Sequence, residues 1–296
     1  MTATVRTVPT PDGRSLRVHD AGPTDGAPVF GLHGTPGSGL LFPPLADDAK
    51  RRGLRLLGYD RPGYGRSTPL PDRSVAQAAT DVGTIADALG IDRFAVWGFS
   101  GGGPHALACA ARWSGRAVGV AVVGGCAPYP ADGLDWLAGM GPENVDEFDL
   151  TVAAGPPLER SLQKARGDLL GADTAGFVRA MGSLLAPPDR AACDGPIGSY
   201  FAGSMAEALA PGVDGWYADD VAFVRPWGFP LDRIQVPTSV WHGTDDGFVP
   251  VAHARWVAAH VPGATLRLFE GHGHLSLFGA PMGEVHAWIA DRFRRP

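Results

Sequence analysis

Short apolar runs alternate with helical stretches along the first 127 residues. Residues 5–8 and 14–20 flank a Pro-Asp-Gly turn and alternate in strand fashion, which predicts a hairpin. Residues 29–32 and 54–59 are almost wholly apolar, the pattern of strands covered on both faces of a parallel sheet. Helical periodicity runs over 41–52 and again over 75–89, where Gly90 supplies a stop. A strand at 94–97, an alanine-rich helix at 105–113 and a strand at 118–123 complete this half.

Strand patterns then vanish. From 128 to about 232 the chain reads as helical pieces (145–154, 158–170, 174–185, 197–210 and 216–223) broken by glycine and proline. Alternation returns with a strand at 238–242, a helix at 251–260, a strand at 265–269 and a helix at 282–293. The expected fold class is therefore α/β. Residues 1–127 and 233–296 form a mostly parallel, doubly wound sheet, and residues 128–232 are inserted as an all-helical lid.

With 296 residues, 45% apolar and 19% charged, the chain has the make-up of a soluble globule. A net charge of -6 without a basic run argues against nucleic acid or an acidic membrane surface as partner. The longest apolar stretch, 117–127, is interrupted by glycine and too short to span a bilayer. Cys109, Cys126 and Cys193 form no disulfide framework and no metal spacing, and the first two read as small buried apolar groups. The opening residues lack the basic and apolar regions of a secretory leader, so a reduced, cytoplasmic setting is expected.

The chemistry centres on Ser100 in Gly98-Phe99-Ser100-Gly101-Gly102. In a chain with 42 glycines the spacing G-x-S-x-G recurs by chance. Its context does not: a strand before and a helix after hold the serine on a sharp turn with its hydroxyl exposed. A serine hydroxyl needs an adjacent base, and that base an orienting acid. Two loops that follow strands supply candidates: Asp245 and Asp246 after 238–242, and His272 and His274 after 265–269. Loops after parallel strands gather at one sheet edge.

Here the chain resembles the α/β-hydrolase superfamily over nearly its full length. Five pieces carry the resemblance. They are His33-Gly34-Thr35-Pro36-Gly37, the run Tyr59 to Ser67 (YDRPGYGRS), the serine turn, Gly243-x-x-Asp246-x-x-Val249-Pro250, and Gly273-His274 with Pro281 beyond. The resemblance implies Ser100 as nucleophile, Asp246 rather than Asp245 as acid and His274 rather than His272 as base. It also implies an oxyanion hole from the N–H groups of Thr35 and Gly101. His33 is expected to brace the oxyanion loop, and Asp60 and Arg61 to take a structural salt-bridge or hydrogen-bond role. His105, His242, His253, His260 and His286 are read as structural, mostly at surfaces.

An elbow serine departs from haloalkane dehalogenases and epoxide hydrolases of this fold, which use aspartate. The loop Gly34 to Ser38 looks somewhat like that of proline iminopeptidases, which also need lid carboxylates to hold a free amine. Glu143, Asp146, Glu147 and Glu207 lie in the lid, but such residues cover any lid helix. Carbon–carbon bond hydrolases and hydroxynitrile lyases share the same triad, and some relatives are non-catalytic receptors. No dinucleotide-binding glycine pattern, P-loop lysine or zinc spacing is present, so no cofactor or metal is expected. The expected partner is a small-molecule substrate: an ester, thioester or lactone of small to medium apolar character. Phe99, Trp136, Met140, Phe248 and Leu275 are its candidate contacts. Oligomeric state is left open.

Overall fold

The computed structural model describes residues 3–294. Its strands are β1 (Thr4–Pro9), β2 (Ser15–Ala21), β3 (Ala27–Leu32), β4 (Leu54–Tyr59), β5 (Phe94–Phe99), β6 (Ala117–Val123), β7 (Thr238–Gly243) and β8 (Thr265–Phe269). They form one sheet in the order β1-β2-β4-β3-β5-β6-β7-β8. The expected hairpin pairs β1 with β2 antiparallel, and β2 also runs antiparallel to β4. Every other pairing is parallel. β3 is followed by β4 on one side and its neighbour β5 by β6 on the other, so the chain leaves this strand pair in opposite directions. The loops after β3 and β5 therefore open beside one another, where α/β sheets bind ligands.

Period-two alternation sends side chains of one strand into two different cores. On β5, Phe94 and Val96 face α2 (Gln77–Ala88), α3 (Gly102–Arg112) and α10 (Val251–His260). Ala95 and Trp97 face α1 (Pro43–Arg51) and α11 (Ala280–Arg294). Both faces are covered, which is why the central strands read as unbroken apolar runs.

Between β6 and β7 the chain forms α4 (Pro142–Ala153), α5 (Pro156–Leu169), α6 (Thr174–Met181), α7 (Pro187–Cys193), α8 (Pro196–Leu209) and α9 (Asp214–Phe223). α7 is absent from the sequence expectation, which placed no helix between 185 and 197. Both prolines open the helix, where their missing N–H groups cost nothing. The expected helix 174–185 ends at Met181 and tightens into a 3-10 turn over Gly182–Leu184. All three cysteines are buried and free. Among the described residues, no helix is long and apolar enough to cross a membrane.

Candidate active site

Ser100 joins β5 to α3 with φ of 53°, a left-handed backbone that a non-glycine residue adopts only under strain. The turn is held by the Ser100 N–H donating to Val123 O at 2.8 Å and the Gly103 N–H donating to Ser100 O at 2.8 Å. A Cβ added at Gly98 would stand 2.0 Å from Gly102 O, so only glycine permits this approach of strand and helix.

Asp246 lies in the loop after β7, buried at 6% exposure. Its Oδ1 accepts the N–H groups of Phe248 (2.9 Å) and Val249 (2.8 Å). Its Oδ2 is 2.6 Å from His274 Nδ1. That bond places the Nδ1 proton toward Asp246 and leaves Nε2 for a neighbour. The His274 ring stacks on Phe248 at 4.7 Å and packs beside Phe99 at 4.8 Å. Burial raises the Asp246 carboxyl, but the charges and hydrogen bonds of His274 and His242 outweigh it, and Asp246 titrates well below the usual carboxylate range. Asp245 is exposed and accepts only its neighbour's hydroxyl, from Thr244 at 2.9 Å. His272 rests against Phe269, away from Asp246. The structure thus brings Asp246 and His274 together and gives Asp245 and His272 other partners.

The expectation that the other histidines sit mostly at surfaces is wrong for four of them. His105, His242, His253 and His286 are each fully buried, because each finds polar partners inside the protein. His242 Nε2 lies 2.7 Å from Val249 O and 3.3 Å from Asp246 Oδ2, so it steadies the acid's loop. His253 accepts the Ala127 N–H at Nδ1 and contacts Trp136 O at 2.8 Å through Nε2. Burial pulls its pKa down to about 4, so it stays neutral.

Thr35 and Gly101 are packed against each other: a Cβ on Gly101 would meet Thr35 Oγ1 at 2.3 Å. The loop carrying Thr35 is braced as expected by His33, whose Nδ1 is 2.7 Å from Gly34 O while Nε2 accepts the Arg61 N–H at 3.1 Å. Desolvation and the Arg61 charge keep His33 neutral. Arg61 donates to His33 O, Gly34 O and Thr35 Oγ1, the structural role assigned to it. Asp60 accepts the N–H groups of Gly39 (2.7 Å) and Arg66 (3.2 Å).

The helical insertion reaches both loops, which the sequence reading missed. Asp219 on α9 accepts from Thr35 Oγ1 (2.8 Å), Arg61 Nη2 (2.6 Å), Tyr64 OH (2.9 Å) and Arg73, and it meets His105 at 3.2 Å. Its burial would raise it, yet Arg61 and Arg73 hold it well below the carboxylate range. On α7, Asp189 Oδ2 accepts the His274 N–H at 2.9 Å, and Oδ1 accepts the Ser276 N–H at 2.9 Å. One signal could have flagged the pair on α9: Asp219-Asp220 interrupts a helix whose other faces are tryptophan, valine, alanine and phenylalanine.

A cavity of two lobes opens at Ser100. The smaller, about 50 Å³, is walled by Phe42, Trp97, Phe99, Phe201, Leu275 and Phe278, with His274 at its edge. The larger, about 320 Å³, holds Thr35, Gly101, Trp136, Met140, Glu147 and Asp220. Ser100 and Phe248 line both. All five candidate substrate contacts thus face one lobe or the other. Of the lid acids read from sequence, Glu143, Asp146 and Glu147 line the larger lobe, whereas Glu207 pairs with Arg17 at 3.1 Å.

Residues 27–281 match the alpha/beta hydrolase fold family, and the chain belongs to it. It is similar to a non-heme chloroperoxidase of Streptomyces lividans, at 31% identity over 91% of this chain and 94% of the relative. A bifunctional esterase/perhydrolase of Acinetobacter calcoaceticus is 26% identical over 82% of this chain and 83% of its own. Among solved structures, an alpha/beta hydrolase fold protein from Nakamurella multipartita superposes with a TM-score of 0.67 at 28% identity, covering 98% and 99% of the two chains.

Proposed function

We propose that the protein is a serine hydrolase that cleaves carboxylic esters through an acyl-enzyme on Ser100. The observation that carries this reading is the 2.6 Å Asp246–His274 bond beside a strained elbow serine lining the same cavity. Ser100 Oγ attacks the ester carbonyl as His274 Nε2 takes its proton, and Asp246 stabilises the imidazolium. The N–H groups of Gly101 and Thr35 receive the oxyanion, each worth about 3 kcal/mol in such a hole. His274 returns the proton to the departing alcohol. Water, activated by the same histidine, then releases the acid and restores Ser100.

In this reading residues 128–232 act as a lid on the core formed by 1–127 and 233–296. The phenylalanines and tryptophan of the smaller lobe suit a short apolar substituent. The esterase activity in the name of one relative favours ester cleavage among the reactions open to this triad. The test is Ser100→Ala assayed on p-nitrophenyl acetate and butyrate. Hydrolysis falls by about 10⁴-fold or more if Ser100 is the nucleophile. Unchanged turnover, or a fluorophosphonate probe that fails to label Ser100 in the folded wild type, overturns the proposal.

A further inference from the structure

Away from the Ser100 cavity, a buried histidine and two carboxylates from distant parts of the chain converge. His19 stands on β2, Asp60 directly follows β4, and Glu207 lies on α8 of the insertion. One ligating atom from each lies within 4.8 Å of the other two, and none of the three residues lines either lobe. His19 is 2% exposed, and its Nε2 is buried without a hydrogen-bond partner. That nitrogen is aimed at Asp60 Oδ1 from 3.8 Å, too far for a hydrogen bond. Native proteins rarely leave a buried ring nitrogen unsatisfied, and one turned toward two carboxylates marks a place for a cation that imidazole can ligate.

We propose that His19, Asp60 and Glu207 bind a divalent transition-metal ion of the zinc type, which clamps the helical insertion to the core. One imidazole nitrogen and two carboxylate oxygens form a donor set for such an ion, with water as the fourth ligand. The set is wrong for calcium or magnesium, which are held by oxygens in larger number. Ligands about 2.1 Å from a tetrahedral ion stand about 3.4 Å apart, so closing the triad moves its atoms by about 1.5 Å at most. Glu207 can make that move, because its side chain is 24% exposed. Asp60 is already set: the Gly39 N–H donates to its Oδ1 at 2.7 Å and the Arg66 N–H to its Oδ2 at 3.2 Å. Such outer hydrogen bonds orient a ligating carboxylate.

Arg17 competes for the same carboxylate: its Nη2 lies 3.1 Å from Glu207 Oε1. Its side chain is 21% exposed, so an ion that takes Glu207 releases the guanidinium to water. An ion held here joins β2, the loop after β4 and α8 at one point. Beside it the Gly65 N–H donates to Ala208 O at 3.0 Å, a backbone bond along the same seam between core and insertion. The role is structural. The ion limits the freedom of α8 and takes no part in the chemistry at Ser100.

Calorimetry of the chelator-treated wild type with zinc chloride tests this. A single Zn²⁺ binds per chain with a Kd that is micromolar or tighter, and saturation raises the midpoint of thermal unfolding by about 3 °C or more. Glu207→Gln weakens binding by about tenfold or more and removes most of that rise. His19→Ala does the same. Because the buried His19 variant can misfold, the partly exposed Glu207 carries the decision. Magnesium chloride at the same concentration produces neither effect on the wild type. Absence of zinc binding overturns the proposal, and so does magnesium binding of equal strength. Zinc binding that Glu207→Gln leaves unchanged also overturns it, since the ion then sits elsewhere, at exposed His260 or at His274.

Discussion

Asp219 and Asp220 are neighbours on one helix, both buried below 3% exposure, yet their surroundings divide them completely. Asp219 sits among Arg61, Arg73, Tyr64, His105 and the Thr35 hydroxyl, and stays ionised. Asp220, one residue on, faces the cavity and another acid, and holds on to a proton. Burial alone does not set the state of a carboxylate. The partners do. Asp219 ties the insertion to the loop that carries Thr35, whereas Asp220 keeps one oxygen, Oδ2, buried without a hydrogen-bond partner.

Breaking the saturated side has the largest expected effect. Asp219→Ala leaves the buried guanidinium groups of Arg61 and Arg73 without their counterion, and should cost about 3–5 kcal/mol of stability. Denaturant unfolding measures it, and a loss near zero would mean that the arginines find other partners. Asp189→Ala is next. It strands the N–H groups of His274 and Ser276, at about 1–3 kcal/mol. Because that bond sets the backbone beside the base, kcat should fall while KM changes little. A change confined to KM would contradict this placement.

Relieving the unsaturated side has a smaller effect, of opposite sign. A carboxyl whose folded pKa is raised keeps a proton that the unfolded chain releases above about pH 4. Wild-type stability therefore declines as pH rises from that point toward the folded value. Glu147→Gln removes this loss, so the variant's stability should gain on the wild type by about 1 kcal/mol between pH 5 and 8. A gap that stays constant or shrinks would mean that Glu147 is not desolvated. Burial raises Glu147 and Asp220 alike, Asp219 raises Asp220 further, and Arg73 acts against that rise.

Much of the core was legible in sequence because its signals are local. The sequence patterns of β4 and β8 predict those strands to the residue, and the resemblance carried by G-x-x-D-x-x-V-P points to Asp246 over Asp245. What stayed hidden is long-range. Nothing near Asp189 says that its carboxylate meets His274, 85 residues away, and nothing near Asp219 points to Thr35, 184 residues away. The buried histidines were misread for the same reason. A histidine on a helix looks like a surface residue until the fold brings His253 to Ala127 and Trp136, or His105 to Asp219. α7 is short, and its two prolines stand at the opening turn, so no helical period marks it in the sequence.

The division between the two aspartates is most directly tested by denaturant unfolding of Asp219→Asn and Asp220→Asn at neutral pH. The account predicts that Asp219→Asn, which strips Arg61 and Arg73 of their counterion, costs about 3 kcal/mol or more, whereas Asp220→Asn costs little or stabilises. Equal behaviour of the two variants would contradict it.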